Sequence, residues 1–318
     1  NISRVKALAF DLDGTLLMPD KTLGAKTRKV LGACMERGIK LILSTGRGVE
    51  SVEPYRKTIG AAGPQIYYNG AEVLDMPSGR VIFTRLLDSA PVRFCLELAR
   101  EKGLYLQAYF PAGALSNENL PGGAFSGGAF SRGPVSRGPV SGGQASGGQA
   151  SGGAFSPDRE LLLTEKLGPE SEYYLKNSGL QALAGDMEAA LSVPGLPGLI
   201  KCMFITKEEH QEYLKNSVRE RFGDSVTIVR SSPIYLEVLA KGVSKGLGLA
   251  RALEYMGVDP KDTIAFGDEE NDLPMFAAAG YSAAPANAVK EALEAAAFRI
   301  GSNAGEGVAA FLEERVLG

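Results

Sequence analysis

Apolar positions along the chain alternate between two patterns: short solid runs that stop at a polar tip, and stretches in which apolar residues recur every three or four positions. Residues 5–10 are a run of the first kind and read as a strand covered on both faces, as in the centre of a parallel sheet. The run ends in Asp11-Leu12-Asp13-Gly14-Thr15. Residues 23–38 then place Val30, Leu31, Cys34 and Met35 at helical spacing before a glycine stop, and residues 39–43 form a second strand tipped by Ser44-Thr45-Gly46-Arg47. A helix over 50–59 and a third strand over 66–70, ending in Asn69-Gly70, follow. This succession of strand-helix units predicts an α/β fold with a doubly wound, Rossmann-like parallel sheet, whose ligands sit beyond the carboxyl ends of the strands.

After residue 86 the rhythm changes. A helix over 90–102, extended runs over 104–110 and 160–165, helical stretches near 169–177 and 185–191, a strand over 199–205, a helix over 207–222 and strands over 226–230 and 234–240 are the order of a separate α+β domain. From residue 241 the α/β alternation resumes, with a helix over 245–256, a strand over 263–266 tipped by Gly267-Asp268-Glu269-Glu270-Asn271-Asp272, and helices over 273–279, 289–296 and 307–316 separated by short strands. The expected organisation is therefore a core of residues 1–84 and 241–318, interrupted by an inserted α+β domain of residues 85–240.

The strand tips carry the chemistry. Asp11 and Asp13 lie on one side of an extended segment, and their mutual repulsion costs several kcal/mol unless a cation lies between them, so the pair reads as half of a magnesium site, with a solvated turn as the alternative. An aspartate on a strand tip can attack phosphorus and split a hard hydrolysis into two easier steps, which makes Asp11 the expected nucleophile. Asp13 is placed to protonate the leaving oxygen and later to deprotonate the attacking water. Thr45 supplies a hydroxyl and Lys245 an ammonium for the transferring phosphoryl group, and Asp268 a distant metal ligand. Asn271 can hold the phosphate or a nearby loop, while Asp272 braces the metal shell. Lys245 opens a helix, where the dipole favours anions, so it either solvates that face or meets a bound phosphate. Arg47 either recognises substrate or pairs with a neighbouring carboxylate. His210, the only histidine, sits among glutamates and is expected to have no catalytic role.

Asp11-Leu12-Asp13-Gly14-Thr15, Thr45-Gly46-Arg47, Lys241-Gly242-Val243-Ser244-Lys245-Gly246 and Gly267-Asp268-Glu269-Glu270-Asn271-Asp272, in that order, resemble the four motifs of the haloacid dehalogenase superfamily. The resemblance is to its Cof-type phosphatases, which carry a large cap between the second and third motifs, where this chain has its insertion. It implies Mg2+ on Asp11, the backbone carbonyl of Asp13 and Asp268, and phosphate held by Thr45, with the adjoining Gly46, by Lys245 and by Asn271. Asn69-Gly70-Ala71 matches a further element of that branch with a less defined role, and the stretch from Ala283 to Ala288, containing Asn287, follows a variant of it. The implied activity is Mg2+-dependent hydrolysis of a small phosphorylated metabolite through an aspartyl phosphate. The alternatives are transfer to a second substrate, as in a phosphomutase, and phosphate binding without catalysis.

Composition narrows the partners more than the chemistry. A net charge of −3 with both signs interspersed predicts neither a nucleic-acid nor a membrane surface. Three cysteines without a CxxC spacing argue against a disulfide framework or a zinc site and fit a reducing cytoplasm. No apolar run reaches the roughly 20 residues of a membrane span, and no signal peptide is evident; Asn1 is not an initiator methionine, so an earlier start is expected. A monomer or weak homodimer is expected. Residues 122–156 are seven Gly/Ser-rich pentads, six of them in identical adjacent pairs, whose composition reads as a flexible tether or an inserted tract rather than a recognition arm.

Overall fold

The computed structural model describes residues 2–76, 78–111, 114, 161–178 and 182–318; the pentads at 122–156 lie outside them. By contacts the chain forms two compact units, one of Asn1–Arg85, Asp224–Pro233 and Leu239–Gly318, the other of Leu86–Gly223 and Ile234–Val238.

The chain begins with β1 (Ala7–Phe10), α1 (Ala25–Glu36), β2 (Lys40–Leu43), α2 (Val49–Ile59), β3 (Gly63–Tyr67), β4 (Glu72–Met76) and β5 (Arg80–Thr84). Then come α3 (Ser89–Lys102), β6 (Tyr105–Phe110), β7 (Leu161–Thr164), α4 (Pro169–Ser178), β8 (Ala182–Ala184), α5 (Met187–Leu191), β9 (Lys201–Ile205), α6 (Glu208–Phe222), β10 (Val226–Ser232) and β11 (Tyr235–Ala240). It closes with α7 (Lys245–Met256), β12 (Thr263–Phe266), α8 (Leu273–Ala278), β13 (Tyr281–Pro285), α9 (Lys290–Ala295), β14 (Phe298–Ile300) and α10 (Gly307–Leu312).

Five strands build a parallel sheet in the order β14-β13-β12-β1-β2, the α/β core that the apolar pattern predicts. β1 lies inside it, between β12 and β2, with Ala7, Leu8, Ala9 and Phe10 wholly buried, so burial on both faces explains the solid apolar run. Ala7, Ala9, Ile42 and Ala265 share one cluster with Leu249, Ala252 and Leu253 of α7 and with Met275 and Phe276 of α8. Phe10 stacks on Phe266 at 5.0 Å, and Phe266 meets Phe311 of α10 edge-on at 5.9 Å. Among the described residues no helix is long and apolar enough to cross a membrane.

The third strand departs from the expected pattern. β3 touches the parallel sheet through a single bridge, Ser44 to Ile66, and then pairs antiparallel with β4, which pairs with β5. Pro64 has no N–H to offer a ladder, and the buried side chain of Gln65 takes over: its Oε1 accepts from Leu43 N at 2.8 Å and its Nε2 donates to Leu41 O at 3.2 Å. The strand also stops at Tyr67 rather than Gly70, because Tyr68 and Asn69 turn to positive φ. The β4–β5 hairpin and the short β8 are further elements that the periodicity does not announce.

Glu72 on β4 is half-buried without a charge beside it, and this partial burial pushes its carboxyl up from 4.5 to about 7. A carboxyl raised in the folded state contributes stability that is full below pH 4.5 and lost as pH rises to about 7, a swing of roughly 3 kcal/mol at most. Glu72→Gln is therefore expected to flatten the decline in unfolding free energy between pH 5 and pH 8 by about 2 kcal/mol. Denaturant melts at the two pH values read this directly, and an unchanged slope would show that Glu72 stays ionised in the folded protein.

The second sheet has six strands, in the order β10-β11-β9-β6-β7-β8. Lys201 and Glu237, each about 2% exposed, form a buried ion pair at 2.7 Å, and the Lys201 ammonium lies 4.7 Å from the centre of the Tyr109 ring. His210 is partly exposed on α6, 3.5 Å from Glu209.

Candidate active site

Strand register decides which polar tips meet. Phe10 pairs with Leu43 on one side and Phe266 on the other, so β1, β2 and β12 end level. Asp11, Ser44 and Gly267 consequently emerge side by side: Asp11 N–H donates to Phe266 O at 2.9 Å, and Ser44 N–H to Phe10 O at 2.8 Å.

Beyond Asp11 the backbone makes one wide turn over Leu12–Leu16, closed by Leu17 N–H on Leu12 O at 2.8 Å. Gly14 holds that turn at φ 85°, and a Cβ there would lie 2.1 Å from Asp268 Oδ2. Only glycine meets both demands, a left-handed backbone and room for the Asp268 carboxylate. Next to it the buried Thr15 hydroxyl donates to Asp268 Oδ1 at 2.6 Å.

α7 begins at Lys245, its first turn capped by Ser244 Oγ accepting from Leu247 N. Lys245 Nζ reaches Asp11 Oδ1 and Asp272 Oδ1, both at 2.6 Å, with all three side chains buried. The Lys245 side chain is therefore buried rather than on a solvated face, and it is held between two carboxylates. Asp272 uses its other oxygen to accept from the backbone N–H groups of Asp268 at 2.9 Å and Glu269 at 3.1 Å, so it braces the loop that presents Asp268.

Asp11, Asp268 and Asp272 offer carboxylate oxygens within 4.8 Å of one another. Burial first, then the other carboxylates, push Asp11 well up against the opposing pull of Lys245. Burial raises Asp268 to about 7, the Thr15 hydrogen bond opposing and Asp272 adding. Three buried carboxylates facing one ammonium leave an excess of negative charge, and oxygen donors at this spacing are what a hard divalent cation takes. The residues present therefore fit such an ion.

Asp13 sits apart from this group. Arg47 holds its carboxylate with two bonds, Nε to Oδ2 and Nη2 to Oδ1, both 2.6 Å, and Lys21 Nζ lies 2.8 Å from Oδ1. Burial alone would raise Asp13, but the two cations outweigh it and hold the carboxyl at about 2. Arg47 thus pairs with a neighbouring carboxylate, one of the two roles open to it from sequence. The buried Thr45 hydroxyl accepts from Arg47 N–H at 3.1 Å, and Asn271 Nδ2 donates to Asn69 Oδ1 at 3.0 Å.

Two asparagines to which the sequence assigns no role hold the Asp11 loop from outside. Asn287 Nδ2 donates to Gly14 O at 2.8 Å while its Oδ1 accepts from Asn303 N at 2.9 Å, and Asn303 Nδ2 donates to Leu17 O at 2.8 Å. Val289 N–H meanwhile bonds Asp268 O at 2.9 Å. The segment after β13 thus fastens both loops that carry the clustered aspartates. The signal available in the sequence is a lone asparagine among small residues at a strand end.

The profile of the haloacid dehalogenase-like hydrolases matches residues 8–312. A putative phosphatase of Haemophilus influenzae is 30% identical over 281 residues, covering 86% of this chain and 83% of its own. A 5-amino-6-(5-phospho-D-ribitylamino)uracil phosphatase of Bacillus subtilis is 24% identical over 315 residues, covering 99% of both chains. Among solved structures, a haloacid dehalogenase-like hydrolase from Bacteroides thetaiotaomicron superposes with a TM-score of 0.73 at 24% identity, over 97% of this chain and 98% of its own. With the parallel core, the buried aspartates and a match across nearly its whole length, the chain belongs to the haloacid dehalogenase-like hydrolase family, in its Cof-type phosphatase branch.

Proposed function

We propose that the protein is a Mg2+-dependent phosphatase that hydrolyses a small phosphorylated metabolite, a sugar phosphate or similar monoester, through an aspartyl phosphate on Asp11. The observation that carries this reading is the meeting of Asp11, Asp268 and Asp272 around the single ammonium of Lys245 at the ends of β1 and β12. A bound Mg2+, held by Asp11, Asp268 and the Asp13 backbone carbonyl, would neutralise charge on the transferring phosphoryl group.

Asp11 would attack phosphorus as the ester bond to the leaving oxygen breaks, and water would then cleave the acyl phosphate. Lys245 restrains the Asp11 carboxylate and has N–H capacity to spare for a phosphoryl oxygen; the Thr45 hydroxyl, the Gly46 backbone and the Asn271 amide complete the donor set. Asp13 is the proposed acid and base. Paired with Arg47 and Lys21 it is ionised, as a base for water must be; to protonate a leaving oxygen it has to loosen that pairing and take up a proton. Asp272 acts through Asp268 by holding its backbone. Residues 85–240 are proposed as the cap that selects the substrate. The B. subtilis relative, named for a phosphorylated small molecule, supports that substrate class.

The test is a panel of phosphorylated metabolites incubated with enzyme and Mg2+, with inorganic phosphate and the organic product both quantified. Equal release of phosphate and free alcohol supports hydrolysis. Phosphate reappearing on a second hydroxyl would identify a phosphotransferase, and retention of every ester intact would leave phosphate binding without catalysis.

A further inference from the structure

One element of the first unit is strained and makes contacts that the catalytic reading leaves unused. Tyr68, Asn69 and Gly70 have consecutive φ values of 51°, 57° and 95°, a left-handed run that the side chains of Tyr68 and Asn69 oppose. Such a backbone persists where its surroundings over-determine it, and it clusters at functional sites.

The surroundings of this run are the predicted phosphate-holding segments. Asn69 N–H donates to Thr45 O at 2.9 Å, and Tyr68 N–H to Arg47 O at 3.1 Å. The Asn69 amide lies over Gly46, so closely that a Cβ on Gly46 would be 3.1 Å from Asn69 Nδ2. Gly70 abuts the start of α7, where a Cβ would lie 2.0 Å from Ser244 O, one residue before Lys245. Asn69 Oδ1, finally, accepts from Asn271 Nδ2 at 3.0 Å across 202 residues of sequence. That bond fixes the plane of the Asn271 amide, whose own Oδ1 is buried with no hydrogen-bond partner. A primary amide has two N–H groups, so the bond to Asn69 leaves a second donor on Nδ2 for an anion.

We infer that Asn69 is a positioning residue, holding the Asn271 amide in the orientation in which it donates to the phosphoryl group. The inference rests on the proposed anion-holding role of Asn271. It explains why asparagine occupies a left-handed position that glycine would fill with less strain: the side chain is needed there.

The test is a four-member cycle of wild type, Asn69→Gly, Asn271→Ala and the double variant. It is read in kcat/KM for p-nitrophenyl phosphate with Mg2+, in the Kd of inorganic phosphate with Mg2+, and in Tm. Glycine accepts φ near 57°, which offsets part of the cost of the lost buried side chain, so Asn69→Gly is expected to fold with a Tm lowered by a few degrees at most, while kcat/KM, read well below that Tm, falls roughly 10-fold. In the Asn271→Ala background the same change is expected to cost less than about threefold, because the group that Asn69 orients is gone. Equal factors in both backgrounds, or a loss of activity that tracks a Tm lowered to near the assay temperature, would overturn the inference. Should Asn69→Gly fail to fold, Asn69→Ser, too short to reach Asn271, takes its place in the cycle with the same readings. If wild type binds phosphate without turning over the ester, the phosphatase reading fails alone: non-additive phosphate Kd values then uphold the positioning role and additive ones overturn it. Absence of both turnover and phosphate binding overturns both.

Discussion

Asp11→Asn is expected to lower kcat at least 100-fold, about 2.7 kcal/mol of barrier, while the protein stays folded. The amide has the shape of the carboxylate and can still accept from Lys245, now 2.6 Å from Asp11 Oδ1, but it cannot attack phosphorus. Removing one of three crowded, buried carboxylates also removes like-charge repulsion, so the variant is expected to melt at or above the wild-type temperature in metal-free buffer. Coupled assays of kcat and thermal melts on the same preparations check both halves. More than about one-hundredth of wild-type turnover in a preparation free of wild-type enzyme would remove Asp11 as nucleophile.

Chelation is expected to abolish activity, Mg2+ to restore it, and Ca2+ to fail to restore it and to inhibit when added over Mg2+. The reason lies in the same three carboxylates. Without a divalent ion, an incoming phosphate dianion meets an excess of buried negative charge that Lys245 alone does not offset. Calcium takes more ligands at longer distances than magnesium, so it can engage both oxygens of Asp11 and hold the attacking group out of line. Rates measured after exhaustive chelation, then across a series of each ion, give the answer. Undiminished turnover in chelator would exclude a metal-assisted reaction at this site.

Much of the architecture is legible in the amino-acid sequence, because burial on both faces writes itself into a solid apolar run and a buried helix face into a period near 3.6. β1, β2, β12 and α7 fall where periodicity places them, and β12 and α7 have the predicted limits. So do the ends of those strands, and with them Asp11, Thr45, Lys245 and Asp268 as the residues to watch. β3 escapes the pattern because a side chain, Gln65, supplies hydrogen bonds that a strand ladder normally makes, and because Tyr68 and Asn69 adopt a left-handed backbone that residue type does not announce. The Arg47 grip on Asp13, the Asn287 and Asn303 ties to the Asp11 loop, and the Asn69 bond to Asn271 span 34 to 286 residues of chain. Local propensity and spacing carry information over one or two turns of helix or one strand, so they name which chemical groups stand at each strand end. Which oxygen faces which cation depends on strand register and on where the loops cross, and those are settled only when distant segments pack against one another.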